Sequence, residues 1–356
     1  MIFNLETKPP RAEFGWPGGD RPGELVFRTP VEPDVRAVIV KTVAAVLPEF
    51  GGNAELHALT PPDGAIGRYR LATARNACFV RVSARIGDAK LEQAITAWLG
   101  DHGLPVSHLE FAGLSLEFGG HNLRLDIREL LDTRHDNGSL EDLRKVATAL
   151  ATCHRLLREF PGAPEVRGHA AQRFTHLAAV RDTIAAALER QDWGAFSEDG
   201  DWGRNNREWL GEMVDGYQPR FDLMPNAQCL HAQVHRANVL FRRSDDAAVL
   251  LDFEEAVQTF APVAWDLAYF VQRFCLADAP KPDVLHERLA TVRGAYGAPA
   301  PGLADMMRQT AWFSMALLVD YQHRGIVSPR SEYDKFVRLE KQARNLAPTL
   351  GEFFDV

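Results

Sequence analysis

The chain has 356 residues, of which 46% are hydrophobic and 25% are charged, and its formal net charge is −8 at pH 7. Such a length allows two domains of ordinary size, and the composition is typical of a soluble globular protein. An acidic chain argues against nucleic acid as the main partner, since that partner calls for a basic surface. No apolar run approaches the roughly 20 residues of a membrane span. The N-terminal residues also lack the basic start and apolar core of a secretory signal, so we expect a cytoplasmic protein.

The first third of the chain predicts an irregular lead-in, a helix and two strands. Residues 1–30 are rich in proline, glycine and charge, whereas residues 33–50 have the spacing of an amphipathic helix. Residues 64–83 predict two strands joined by a turn, and Gly64 and Gly67 come just before the first of them. Two glycines at this spacing also fit a plain turn.

The pattern then changes from strands to helices. Residues 107–130 alternate apolar and polar side chains, which predicts the remaining strands of an antiparallel sheet. Ser139 opens a helix with a capping-box pattern, and the chain after residue 168 has mainly helical spacing. The four cysteines lie far apart in apolar surroundings, so we expect buried free thiols and neither a zinc site nor a disulfide framework: Cys78, Cys153, Cys229 and Cys275.

Two oxygen-bearing side chains flank a predicted hairpin. Asn238 precedes the apolar run Val-Leu-Phe, and a second apolar run, Val-Leu-Leu, ends at Asp252. The short charged segment between the runs fits a hairpin loop, which would bring both side chains to the same end of adjacent strands. Amide and carboxylate oxygens are ligands that Mg²⁺ accepts. An ordinary hairpin with polar ends remains the alternative for this pair alone.

Three blocks in order carry a family resemblance. They read HAQVHRAN at residues 231–238, LDFE at 251–254 and WDLA at 265–268. Together they resemble the signature of the aminoglycoside phosphotransferase and choline kinase superfamily. The resemblance implies an α+β, two-lobed, protein-kinase-like fold. Its small antiparallel-sheet N-lobe would cover residues 31–130, and its larger, mainly α-helical C-lobe residues 131–356.

The resemblance also implies cofactors and site residues. ATP and Mg²⁺ would be the cofactors, with Asn238 and Asp252 as the metal ligands. Arg81, at the centre of a predicted strand, would reach the nucleotide phosphates and pair with Glu92 on the next helix. Gly64 and Gly67 would belong to the loop that covers the nucleotide. The alternatives are a solvated strand arginine for Arg81 and a surface helix carboxylate for Glu92. Asp266, in the third block, would brace the catalytic loop.

The loop departs from the family pattern at its catalytic position, and the family's glycine and Pro-Gly also fall on Ala232 and on Arg236-Ala237. Gln233 stands where the signature has its catalytic aspartate, between His231 and His235. A glutamine side chain can accept a hydrogen bond, but it cannot take up a proton at neutral pH and carries no negative charge. His235 could titrate near neutrality, although a histidine satisfied by the loop backbone fits that position as well.

Three functions remain open on the sequence. The favoured one is ATP-dependent phosphate transfer to a small hydroxyl-bearing metabolite with an atypical catalytic loop, because the metal pair and the Arg81–Glu92 candidates are present. The second is a catalytically degenerate pseudokinase that binds nucleotide or a small ligand in a regulatory or partner-binding role. The third is ATP-dependent nucleotidyl transfer. The acceptor and the oligomeric state are not specified by the sequence.

Overall fold

The computed structural model describes residues 29–84, 87–196, 200–276, 279–326 and 328–355. The predicted irregular lead-in, residues 1–30, lies outside these ranges except for its last two residues. The strands of the described residues are β1 (Glu55–Ala58), β2 (Gly67–Ala72), β3 (Ala77–Ser83), β4 (Leu109–Phe118), β5 (His121–Glu129), β6 (Thr133–Arg134), β7 (Gln228–Cys229), β8 (Val239–Arg242), β9 (Ala248–Leu250) and β10 (Phe260–Ala261).

Helices dominate the second half of the chain. The α-helices of the same ranges are α1 (Pro33–Ala44), α2 (Ala89–Asp101), α3 (Leu140–Arg158), α4 (Ala163–Arg190), α5 (Asp201–Asn205), α6 (Arg207–Gly216), α7 (Ala264–Phe270), α8 (Pro282–Tyr296), α9 (Leu303–His323), α10 (Arg330–Asn345) and α11 (Ala347–Phe354). None of the helices in the described ranges combines the length and apolarity that crossing a membrane requires.

The contacts divide the chain into two compact units. The sheet unit contains residues 29–156 and Arg236–Val257, and the helical unit contains Leu157–His235 and residues 258–355. In the sheet unit, an antiparallel sheet has the order β1-β2-β3-β5-β4, and a second sheet has the order β6-β8-β9. The predicted α+β class is confirmed, with an antiparallel-sheet N-terminal region and a helical C-terminal region. The lobe boundary predicted at residue 130 stays a prediction.

The core of the sheet unit lies between α1 and one face of the large sheet. Because successive side chains of a strand point to opposite faces, alternate residues of β3 and β5 enter this core. The buried members from α1, β3 and β5 are Val35, Ile39, Val43, Cys78, Val80, Val82, Leu123, Leu125 and Ile127. The residues between them, Arg81 and Arg124 among others, therefore occupy the opposite face of the sheet.

Two local predictions need correction. The helix predicted over residues 33–50 ends at Ala44, and Pro48 begins a separate 3₁₀ turn, because proline has no backbone N–H to continue an α-helix. Strand β1 was not predicted from the sequence. It is only four residues long and pairs with β2 antiparallel, so its evidence is a long-range pairing that local spacing does not reveal. The serine half of the capping box before α3 is present, since Asp142 N donates to Ser139 Oγ at 3.1 Å, whereas Ser139 N donates to Asn137 Oδ1 at 2.8 Å and not to the Asp142 carboxylate.

All four cysteines are buried free thiols, as predicted. Burial raises the pKa of the Cys78 thiol to about 12 and that of Cys229 likewise to about 12. A buried thiol at high pKa supplies almost no thiolate, and the thiolate is the reactive form. We expect none of the four to react with a disulfide reagent at pH 8 in the native protein, and all four to react after unfolding in guanidinium. Rapid native labelling of Cys78 or Cys229 would contradict this prediction.

Candidate functional site

The hairpin that flanks the candidate metal ligands has the predicted geometry. Strands β8 and β9 pair antiparallel with Val239 opposite Leu250, and Leu251 N donates to the carbonyl oxygen of Asn238 at 2.9 Å. Asn238 and Asp252 therefore lie at the same end of the hairpin, just beyond its last paired residues. Asp252 has a left-handed backbone conformation (φ 63°), which aspartate tolerates better than most residues but which still costs free energy.

Asp252 forms an ion pair with Arg81. Nη1 of Arg81 donates to Oδ1 of Asp252 at 2.8 Å, and Nη2 donates to Oε2 of Glu254 at 2.7 Å. Burial by itself would raise the pKa of Asp252. The positive charges of Arg81, Arg128 and Arg68 outweigh that effect and hold the pKa of Asp252 well below its usual range. The carboxylate is therefore ionised at neutral pH and able to act as a ligand.

The donor set at this end of the hairpin fits Mg²⁺. Asp252 offers an ionised carboxylate, and Asn238, which is buried, offers an amide oxygen. Mg²⁺ commonly uses one or two protein oxygens and takes its other ligands from water and substrate phosphates. The left-handed turn at Asp252 also fits, because strained backbone tends to occur where a side chain must be aimed for function.

Glu92 does not pair with Arg81, which corrects the sequence-based expectation. It lies on α2, and its carboxylate accepts from Arg124 Nη2 at 2.6 Å and also from Arg128 Nη2. Arg124 in turn donates to Asp126 at 2.8 Å. Both arginines project from β5 on the face opposite the apolar core. That face of β5 is buried and carries ion pairs.

Gly64 lies in the connection between β1 and β2, and Gly67 is the first residue of β2. Both glycines were predicted to precede the first strand. They follow β1, which the sequence analysis did not predict. Asp63 and Ile66 exchange two backbone hydrogen bonds, of 3.0 and 2.9 Å, across Gly64, which has φ 55°. A Cβ atom at Gly67 would lie 3.0 Å from the Tyr69 ring, so glycine permits this close packing. Their part in nucleotide binding stays a prediction.

The loop that contains Gln233 belongs to the helical unit and is braced by Asp266. Oδ2 of Asp266 accepts from His231 N at 2.9 Å, and Oδ1 accepts from Ala232 N at 2.7 Å. Ala232 adopts φ 75°, a conformation that disfavours any residue with a Cβ atom. The bracing role implied for Asp266 is confirmed. The strained turn persists at Ala232, which occupies the position of the signature's glycine.

The three predicted catalytic residues differ in environment. His231 is fully buried, and its Nδ1 accepts from Gln233 N at 3.3 Å, so this ring helps to hold the loop backbone. The side chains of Gln233 and His235 are half-buried. The catalytic roles of these three residues stay predictions. Glu254 is the last residue of the second sequence block, and its contact with Arg81 joins residues 173 positions apart.

The aromatic residues near Asp266 form a packed core. Trp265 lies with its ring centroid 4.6 Å from that of Phe221 and 4.8 Å from that of Phe313, both in edge-on geometry. Trp265 and Trp312 are almost fully buried. This edge-on packing and burial are those of side chains in a helical core.

Comparisons with known proteins agree with this fold. A choline kinase from Cryptosporidium parvum Iowa II matches with a TM-score of 0.53 at 10% identity, over 88% of this chain and 97% of that one. An ethanolamine kinase from Plasmodium vivax matches with a TM-score of 0.52 at 11% identity, over 85% and 86% of the two chains. The AMP-bound complex of a spectinomycin phosphotransferase matches with a TM-score of 0.52 at 14% identity, over 78% and 90%. Identities this low demonstrate a shared fold alone.

Family membership follows from a comparison with protein-family models. None of the curated proteins matches the chain in sequence. The model of the phosphotransferase enzyme family, in contrast, matches residues 57–301, which is more than half of the chain and includes every predicted site residue. This chain therefore belongs to the phosphotransferase enzyme family.

Proposed function

We propose that this protein transfers the γ-phosphoryl group of ATP to a hydroxyl group of a small metabolite. The observation that carries the proposal is the β8–β9 hairpin, which presents Asn238 and Asp252 at one end with Arg81 bound to Asp252. Membership of the phosphotransferase enzyme family supports the same conclusion. Phosphoryl transfer depends mainly on positioning and charge neutralisation, which are the functions these side chains can perform.

The residues of the sheet unit would bind the nucleotide. Arg81 would donate to the phosphates, for which the planar guanidinium offers two parallel hydrogen bonds. Asn238 and Asp252 would hold Mg²⁺, which would neutralise phosphate charge when bound. Gly64 and Gly67 would let the β1–β2 connection approach the nucleotide closely, since glycine adds no side chain there.

The loop that contains Gln233 would orient the acceptor. Gln233 would accept a hydrogen bond from the acceptor hydroxyl through its side-chain oxygen. The acceptor oxygen then bonds to the γ-phosphorus while the bond to the bridging oxygen of ADP breaks. Because Gln233 cannot take up the proton, that proton passes to an oxygen of the transferred phosphoryl group. His235 is the alternative proton acceptor, whereas we assign the buried His231 to loop structure.

The similar structures support a small hydroxyl compound as the acceptor. Those proteins are described as kinases of choline and ethanolamine and as a phosphotransferase of spectinomycin, and one of them holds AMP. We infer that the acceptor of this chain is likewise a small hydroxyl compound, such as an amino alcohol, an aminoglycoside, a sugar or a hydroxy amino acid.

The test is phosphate transfer from γ-labelled ATP with Mg²⁺ to a panel of those four compound classes. We expect one labelled product together with ADP, formed slowly because the catalytic carboxylate is missing. The matched control is Asp252→Asn, which removes the charged metal ligand and should abolish transfer.

A second candidate function is favoured by Gln233 itself. A protein without a catalytic carboxylate could bind nucleotide in a regulatory role and transfer nothing. Calorimetric binding of ATP with Mg²⁺, without turnover of any acceptor, would support that role and overturn the proposed transfer. Pyrophosphate release in place of ADP would indicate nucleotidyl transfer. If the protein binds no nucleotide at millimolar ATP, both enzyme functions, phosphate transfer and nucleotidyl transfer, are overturned.

A further inference from the structure

The two terminal nitrogens of Arg81 contact two different carboxylates. Nη1 lies 2.8 Å from Asp252 Oδ1, and Nη2 lies 2.7 Å from Glu254 Oε2. The three side chains are between 14% and 19% exposed, so these contacts are largely shielded from water. Charge-assisted hydrogen bonds in such surroundings fix the orientation of a guanidinium group.

Glu92 is not available to hold Arg81. Its side chain is 1% exposed and paired with both Arg124 and Arg128. Turning Glu92 towards Arg81 would deprive two buried guanidinium groups of this carboxylate. In a kinase the strand cation is held by a carboxylate of the neighbouring helix. In this chain that carboxylate belongs to the ion pairs of β5.

The loop that begins at Asp252 places Glu254 firmly. Phe253, between the two carboxylates, is fully buried and starts a 3₁₀ helix that continues to Gln258. The carboxylates of Asp252 and Glu254 therefore reach Arg81 from one short, anchored segment. An oxygen of Asp252 that binds a metal ion is less available to Nη1, while the contact between Nη2 and Glu254 can remain.

We propose that Glu254 is the positioning residue for Arg81, and that it keeps the guanidinium in place when the metal ion takes Asp252. This inference rests on the proposed function, since it assigns how the same site binds Mg²⁺ and nucleotide phosphate together. Without Glu254, both terminal nitrogens of Arg81 would turn to Asp252 and compete with the metal ion. Metal and nucleotide binding are thus coupled through Glu254, and such coupling is reciprocal.

The test is calorimetric titration of ADP at a series of Mg²⁺ concentrations, with Glu254→Gln and the neighbouring control Glu255→Gln. We expect Glu254→Gln to raise the Mg²⁺ concentration for half-maximal ADP binding by about tenfold, since a charge-assisted hydrogen bond is lost. ADP affinity at saturating Mg²⁺ should also fall, and Glu254→Asp should recover part of both effects. The melting temperature of Glu254→Gln should be close to that of the Glu255→Gln control.

Glu92→Gln separates positioning from structure. It should lower the melting temperature and leave the Mg²⁺ midpoint of the folded protein unchanged. The inference is overturned if Glu254→Gln leaves the Mg²⁺ concentration for half-maximal ADP binding unchanged, or if this variant binds ADP more tightly than the unsubstituted protein. It is also overturned if Glu92→Gln shifts that Mg²⁺ concentration as much as Glu254→Gln does. If the unsubstituted protein binds no ADP at any Mg²⁺ concentration, the proposed function fails and this inference with it. If the unsubstituted protein binds ADP but Glu254→Gln has the same Mg²⁺ midpoint, this inference is overturned and the proposed function stands.

Discussion

Replacing Gln233 by aspartate is expected to raise kcat for phosphoryl transfer by roughly 10²–10⁴-fold, the usual contribution of a general base. The carboxylate would accept the acceptor proton, which a glutamine amide cannot do. The loop should tolerate the change, because its backbone is held by Asp266 through His231 N and Ala232 N. The measurement is the steady-state rate of ADP formation with the best acceptor of the panel.

The control for this prediction is Gln233→Asn. Asparagine has the length of aspartate without its charge, so it should give no gain and will separate basicity from size. Equal rates for the aspartate and asparagine variants would contradict the assignment of residue 233 to proton transfer. ATP affinity should change little in either variant, since the nucleotide contacts are proposed for the sheet unit.

Local sequence signals were sufficient to predict the hairpin that brings Asn238 and Asp252 to one end. The two apolar runs and the short charged segment between them predict the β8–β9 hairpin, and a hairpin of this length fixes which residues share an end. The β8–β9 register and the hydrogen bond from Leu251 N to the Asn238 carbonyl confirm that expectation. A contact between neighbours in the chain needs no knowledge of the rest of the fold, and this is why the prediction succeeded.

Long-range ion pairing was the part that sequence could not provide. Arg124, Asp126 and Arg128 alternate with Leu123, Leu125 and Ile127 along β5, a pattern that ordinarily indicates one buried and one solvated face. Both faces are buried in the structure, and the charged one carries the partners of Glu92. Nothing in a period-2 pattern distinguishes a solvated arginine from one that faces a buried carboxylate. The partner of Glu92 was therefore predicted wrongly, although its helix was predicted correctly.

Replacing Glu92 by glutamine is expected to lower the free energy of unfolding of the sheet unit by about 3–5 kcal/mol, because two buried guanidinium groups lose their shared carboxylate. This decrease in the free energy of unfolding measures the cost of leaving two buried guanidinium charges without their carboxylate partner. It is not a comparison of the ion pairs with apolar packing at the same positions. Urea unfolding, with hydrogen exchange of β3 and β5 amides to identify the unit, gives the value. The matched control is Glu141→Gln, which breaks an exposed i,i+3 pair with Arg144 and should cost less than about 1 kcal/mol. Equal losses for the two variants would mean that water reaches the Glu92 cluster and screens it as it screens a surface pair.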